Sequence, residues 1–285
     1  MQYMYTKELN WMRRFNAVVL SIFLFIVTCF VLYPLVYCVS AAFSPGSSIS
    51  DMAIIPFSRG VTAEHFMHLF KNTDYPLWFR NTLSIAIATS LFTVLVASLA
   101  AYVFSRFYFT FKKSMMMSLL ILQIFPSFVG MIAIYVILYR LGGLDRLWGL
   151  VLVYLAGNIP YNTWLVKSYV DTIPISLDEA ARIDGANNMR IFFTIILPVI
   201  KPILIFLAIS SFTAPWMDFI FPKMVLRSSE NQTLALGLFS FVTDRKNEFT
   251  NFAAGSVIVS VPFVVFFMIT QKMLVTALGG AAVKE

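Results

Sequence analysis

Long apolar stretches separated by short polar ones make up this chain, and their length limits its folds more than any other feature. Runs of about 20 residues or more, enough to cross a hydrocarbon core of about 30 Å, fall at 16–42, 82–105, 115–139, 147–168, 202–222 and 254–277. Backbone in hydrocarbon has no water to satisfy its N–H and C=O groups, so runs of this length are helices. The expectation is an all-α membrane protein, a single transmembrane domain over 1–285, with six transmembrane helices and both ends on one side. Composition agrees: 59% of residues are hydrophobic and 12% charged, against about 25% charged in soluble domains. A soluble protein of 285 residues this apolar could not cover its surface.

Charge sets the orientation. With an inside N-terminus, Lys7, Arg13, Arg14, Arg106, Lys112, Lys113, Lys167, Arg182, Arg190, Lys201, Lys272 and Lys284 are cytoplasmic, leaving nine of the 21 Lys and Arg outside. The bias is modest, but the clusters Arg13–Arg14 and Lys112–Lys113 both abut span ends on the inside. Net charge +7 therefore reads as membrane orientation rather than nucleic-acid binding. The first run is too long for a signal-peptide core and lacks a small-residue exit, so it reads as a retained span. Cys29 and Cys38 lie about 13 Å apart along that one helix and cannot pair with each other.

Between the fourth and fifth runs stands a polar island. Ser176, Leu177, Asp178 and Glu179 spell S-x-x-E, a capping box after Pro174, with Asp178 and Glu179 at the positive end of the helix dipole. Gly185 can stop that helix by taking a left-handed conformation. A second short segment carries Phe192 and Phe193, and Pro198 and Pro202 break it. The predicted unit is a helix–Gly turn–helix elbow over 171–202.

Polar groups also interrupt the runs themselves. The fourth has Gly157, Asn158, Pro160, Tyr161 and Asn162 near its middle; the third has Gln123, Pro126 and Ser127. Such groups are costly in hydrocarbon unless they face a protein interior or a watery path. They read as a translocation route or as structural kinks satisfied by neighbouring helices. Asp218, near the end of the fifth run, is a pathway residue or an interfacial carboxylate. In the second run, Ser84 with Ala88, Ala86 with Ser90 and Ala97 with Ala101 are small residues at the four-residue spacing that allows close helix packing.

Catalytic chemistry has no candidate set. No G-x-x-x-x-G-K-[ST] phosphate loop occurs, and the Gly142–Gly143 pair leads into Leu144 and Asp145 with no lysine to reach phosphates. Neither a Ser/His/Asp nor a Cys/His set is credible, so the chain should not be an enzyme and should carry no cofactor. His65 and His68 beside Glu64 are a weak metal signal. The alternative there is an amphipathic helix capped by Thr62, with Phe66, Leu69 and Phe70 on its apolar face. Uphill transport would then draw energy from a partner through 171–202 or from an ion gradient. An ion-coupled transporter needs intramembrane ionisable residues, and apart from Asp218 the run interiors hold no Asp or Glu.

The polar island also resembles a known motif. Glu179, Ala180, Ala181, Asp184, Gly185, Ala186 and Pro198 match the EAA loop of the membrane permease subunits of bacterial ATP-binding-cassette importers. The likeness extends to Phe79-x-Asn81-Thr82, to Ala101, Tyr102, Phe104, Arg106 and Phe109, and to Pro160, Trp164 and Ile173–Pro174. Pro262, Gln271, Lys272 and the tail from Gly279 to Glu285 are similar to the G-type permease of maltose-class oligosaccharide importers. Where that family commonly has W-N-D-F followed by a proline, Met217 replaces the Asn between Trp216 and Asp218.

That resemblance implies the type I importer permease fold, with the EAA loop coupling a cytoplasmic ATPase to the spans through Glu179, Ala180, Ala181, Asp184, Gly185, Ala186 and Pro198. Implied partners are a second, F-type permease subunit, two copies of the ATPase, which binds the ATP, and an extracytoplasmic sugar-binding protein that meets a 223–252 outer loop. The implied location is the bacterial cytoplasmic membrane, both termini cytoplasmic, with the lipid bilayer as surroundings and no nucleic-acid partner. The implied cargo is an oligosaccharide of malto- or galacto-type, with polyol or glycerol phosphate as alternatives. No Lys or Arg lies in a run core, which favours a neutral sugar. Gln123, Ser127, Asn158, Tyr161, Asn162 and Asp218 are the candidate pathway residues.

Overall fold

A computed structural model describes residues 2–124, 127–243 and 248–282, with side chains from 16 to 268 apart from 125–128 and 244–247, and that of Gln271. Helices account for nearly all of its regular structure: α1 (Gln2–Ala42), α2 (Glu64–Asn72), α3 (Tyr75–Arg106), α4 (Lys112–Ile124), α5 (Ser127–Leu141), α6 (Leu147–Val170), α7 (Ser176–Ile183), α8 (Asn188–Ile191), α9 (Leu197–Val199), α10 (Lys201–Met217), α11 (Ile220–Val225), α12 (Leu234–Thr243) and α13 (Phe249–Ala282). The chain divides into two compact units, 1–72 with 241–258, and 73–240 with 259–285. The expected end of the chain beyond 282, the basic residues before 16, and Pro126 lie outside the described residues or side chains.

Three helices among the described residues are long and apolar enough to cross a membrane alone: Asn16–Ala42, Tyr75–Arg106 and Phe249–Met268. Two pairs of helices bent at short breaks raise the number to five. The expected third run is such a pair, α4 and α5. α6 has the length, 24 residues, but it is not among the helices apolar enough to cross alone, with the polar stretch from Gly157 to Asn162 near its middle. The fifth run does not continue through 222 as expected: α10 stops at Met217 and α11 begins at Ile220. Asp218 makes that break, because its Oδ1 accepts the Ile220 and Phe221 amides at 2.9 and 3.3 Å.

In the first unit, the apolar side chains of α1 from Val18 to Val36 face outward, as a lipid-facing helix requires. Glu64 N–H meets Thr62 Oγ1 at 3.3 Å, giving the expected cap. The buried face of α2 carries His65 and Leu69, while Phe70 is exposed. The His65 ring lies 3.0 Å from both Asn251 Oδ1 and the Ser44 carbonyl, so both ring nitrogens serve in packing. Cys29 and Cys38 are free thiols.

In the second unit, α3 packs along α6 and α10. Ala86, Ala97 and Ala101 are fully buried there, and Ser90 donates to the Ala208 carbonyl at 3.0 Å. The small residues thus let backbones approach, although Ser84 is exposed. One apolar core runs from α3, α6 and α10 into the 171–202 segment, through Tyr102, Val170, Ile173, Ala181, Phe192 and Ile196. A second joins Ile85, Leu138, Leu150, Tyr154 and Val225. The Gly142–Gly143 pair is a helix stop: Gly142 has φ +69°, and the Gly142 and Gly143 amides bond the Tyr139 and Leu138 carbonyls, the pattern that satisfies orphan C-terminal carbonyls.

Candidate functional site: elbow and cleft

The elbow forms with the expected parts and one different start. α7 opens at Ser176, but the cap position is Ile175, which is helical and makes no side-chain bond. The capping box is therefore not formed. The Pro174 and Ile175 carbonyls already accept the Leu177, Asp178 and Glu179 amides, so the chain turns one residue too early for Ser176 to cap it. At the far end Gly185 has φ +82°, and the Gly185 and Ala186 amides return to Arg182 and Ala181 at 3.0 and 2.9 Å. This is the same stop used at Gly142. Asn187, an N-cap residue not singled out from sequence, then accepts the Arg190 amide at 2.8 Å to start α8,.

Past α8 the helix widens to a π-type turn over Phe192–Ile196. Pro198 has no N–H and would crowd the Thr194 carbonyl in a regular helix, and the widened turn lies against that position. Pro202 sits in the first turn of α10, which leaves the Asn188–Val199 stretch at 80°. Of the motif residues, Glu179, Ala180, Asp184, Gly185 and Pro198 are exposed, Ala186 is half-buried and Ala181 is buried. Ile175, Leu177, Ile183 and Met189 add exposed apolar surface. A helix that presents charge and bare apolar side chains together is suited to docking rather than to solvation.

Charged groups missed as partners in the sequence tie this elbow to the spans. Arg106 Nε meets Asp178 Oδ2 at 2.9 Å, with side chains only 4% and 1% exposed. Arg106 Nη2 also donates to the Ile173 carbonyl at 3.0 Å. Beside it, Asp171 accepts Ser105 Oγ at 2.6 Å and Lys167 Nζ at 2.5 Å. Burial works to raise the Asp171 carboxyl, but bonds from Lys167 and Ser105 outweigh it and hold the group below its ordinary value.

A separate cleft of about 1230 Å³ opens between α4, α5, α6 and the α10–α11 break. Gln123, Gly157, Asn158, Pro160 and Asp218 line it. Gln123 Nε2 donates to the Gly157 carbonyl at 3.3 Å, and Tyr154 donates to Asp218 Oδ2 at 2.9 Å. Asn158 Nδ2 is buried with no hydrogen-bond partner among the described residues. Asp218 therefore both caps α11 and faces the cleft. Tyr161 is exposed elsewhere and Asn162 is buried, so neither lines the cleft. Ser127 begins α5, but its side chain lies outside the described residues.

The segment after α11 is held by groups of the resemblance and by one that sequence reading passed over. Asn81 Nδ2 donates to the Glu230 and Gln232 carbonyls at 2.8 and 3.0 Å, and Thr82 Oγ1 accepts the Leu234 amide at 2.8 Å. Asp145, at φ +55°, accepts the Arg227 and Ser228 amides and Ser228 Oγ at 2.9 to 3.0 Å.

Comparison with known proteins fits this architecture. The family described as "Binding-protein-dependent transport system inner membrane component" matches residues 93–279. The maltodextrin transport system permease protein MdxG of Bacillus subtilis (strain 168) is 39% identical over 95% of this chain and 98% of its own. The galactooligosaccharides transport system permease protein GanQ of the same organism is 40% identical over 89% of this chain and 90% of its own. A chain of a bacterial ABC transporter involved in import of the acidic polysaccharide alginate superposes with a TM-score of 0.80. It covers 91% of this chain and 96% of that one at 21% identity, a likeness of fold alone.

Proposed function

This chain belongs to the family of binding-protein-dependent transport system inner membrane components, and from that premise we propose that it carries neutral malto- or galacto-oligosaccharides. It is an inner-membrane permease subunit of an ATP-binding-cassette sugar importer and a non-catalytic component. One observation carries the cargo reading: near-equal identity, 39% and 40%, to permeases named for maltodextrin and for galactooligosaccharides.

In this proposal six spans cross the membrane with both ends cytoplasmic, 171–202 faces the cytoplasm and 223–252 faces outward. The partners are an F-type permease, two ATPase copies and an extracytoplasmic sugar-binding protein. Nucleotide-driven closure of the ATPases draws two coupling elbows together, and the spans rock between inward- and outward-open states. Glu179, Ala180, Asp184 and Gly185 lie on the exposed side of the elbow; Ala181, turned inward, supports it from behind. Gln123, Asn158 and Asp218 form the wall of the route.

Uptake of labelled maltotriose, galactobiose and a polyol, in cells with and without the gene, tests the cargo. Loss of oligosaccharide uptake alone is expected; loss of polyol uptake alone would defeat it. Gly185→Val tests the coupling. A side chain at φ +82° is strained although nothing lies within 4 Å of its Cβ, at a cost of about 1–2 kcal/mol. The variant should insert at normal abundance and lose transport, and Gly185→Asn, which tolerates the left-handed region, should keep it. Normal transport by the Val variant would sink the coupling assignment.

A further inference from the structure

We propose that the buried Arg106–Asp178 pair is the joint through which the elbow moves the spans, with both residues acting as positioning residues rather than as contacts to the ATPase. The inference rests on the elbow being the ATPase docking site. α7 is eight residues long, and of its apolar side chains only Ala181 is buried; Leu177, Ala180 and Ile183 are exposed. One alanine gives a helix little apolar grip. A load on the outward face would therefore lift α7 from the bundle unless something else held it.

Asp178 is that holder. It sits on the buried face of α7 beside Glu179 of the exposed face, so adjacent residues divide attachment from docking. Its carboxylate meets the last residue of α3, the helix that packs along both α6 and α10. The same guanidinium fixes the Ile173 carbonyl, on the segment that leads into α7. A single planar side chain thus grips the elbow both at its helix and at its approach, and ends in the central helix of the unit. An ion pair this buried adds little stability over apolar residues of similar size, because desolvation offsets the attraction. A directional, short-range bond resists sliding in a way that an apolar contact does not, and transmission of a push requires that property.

That difference supplies the test. The importer is purified whole, with this chain native, Asp178→Asn, Arg106→Lys, or the double variant Arg106→Met with Asp178→Leu. Three quantities are read: ATPase recovered with the permease, thermal-unfolding midpoint, and sugar transported per ATP hydrolysed in proteoliposomes. The apolar double variant should retain assembly and midpoint while sugar per ATP falls at least tenfold. Arg106→Lys, which keeps the charge and loses the fork, should fall less.

A double variant that transports at the native ratio would overturn the inference. So would loss of assembly or of thermal stability in the double variant, since the pair would then be structural. Failure of the native chain to bring any ATPase with it would instead defeat the docking assignment of the elbow, and this inference with it.

Discussion

At the elbow a guanidinium and a carboxylate meet at 2.9 Å, and the turn between helices returns its amides to the preceding carbonyls. The cleft is also bonded across its helices, Tyr154 to Asp218 at 2.9 Å and Gln123 to the Gly157 carbonyl at 3.3 Å, but by neutral donors rather than by a charged pair. Each region keeps a buried polar atom with no hydrogen-bond partner among the described residues, Asn158 Nδ2 here and Asp178 Oδ1 at the elbow. Both regions lie in the same compact unit. Under the proposed function, the elbow transmits force and gains from fixed geometry, whereas the cleft wall passes polar cargo and gains from neutral groups that can exchange partners. The unpartnered Asn158 amide is a cost to stability, and because it is buried it would reach cargo only if its side chain turned toward the cleft it lines.

Glycine chemistry separates the two regions most sharply. Gly185 serves conformation, with open space around it, but Gly149, at the start of α6 near the cleft, serves space. A Cβ there would stand 2.2 Å from the Gly143 carbonyl oxygen, and that oxygen belongs to the α5–α6 turn. Gly149→Ala should cost about 3 kcal/mol or more, as backbone overpacking does at its upper end. Membrane abundance should fall severalfold by immunoblot, the largest effect expected here. Gly185→Val, by contrast, should leave abundance alone and remove transport. Equal abundance for both variants would erase the distinction.

Next in size is the residue with duties in both structure and pathway. Asp218→Ala removes the cap of α11 and leaves the Tyr154 hydroxyl unpaired in the cleft. Loss of a cap costs about 1 kcal/mol, and an unsatisfied hydroxyl about 1–3 kcal/mol. The thermal midpoint should drop by several degrees. Asp218→Asn, whose Oδ1 can still accept the two amides and whose Nδ2 can donate to the Tyr154 hydroxyl, should recover most of it. A recovered midpoint with transport still reduced would place the charge itself in the route; full recovery of both would reduce Asp218 to a cap.

Much of the architecture was readable because local chemistry decides it. Apolar runs became helices, Gly185 stopped α7, and Ala86, Ala97 and Ala101 lie buried where small residues let helices touch. The misreadings have physical causes. The fifth run stays apolar past Asp218, so its periodicity gave no sign that a carboxylate would capture two amides and break the helix. Ser176 looked like a cap because its spacing to Glu179 is right, yet Pro174 and Ile175 had already turned the chain. Arg106 and Asp178 stand 72 residues apart. Each carried a plausible local role, as a motif member and as a dipole partner, and nothing in a single sequence links two such charges.

The smallest effect expected separates the buried pair from its neighbour. Asp171 bonds Lys167 four residues away, with side chains 44% and 19% exposed, so solvent screens the attraction and its worth is modest. Its carboxyl is held below the ordinary value, with the bonds from Lys167 and Ser105 outweighing burial. A depressed folded value means that stability is present above the unfolded value and is lost as pH falls through the folded one. Asp171→Asn should therefore lower the thermal midpoint by a small amount at neutral pH, and the gap to the native chain should close on acidification. Salt should narrow the same gap at neutral pH, since charges open to solvent are screened. The Asp178→Asn gap should resist salt, because both of its charges are out of reach of ions. If salt narrows the two gaps equally, the buried pair is wetter than its geometry indicates, and the stiffness assigned to the elbow must come from the apolar core around Phe192 and Ile196 instead.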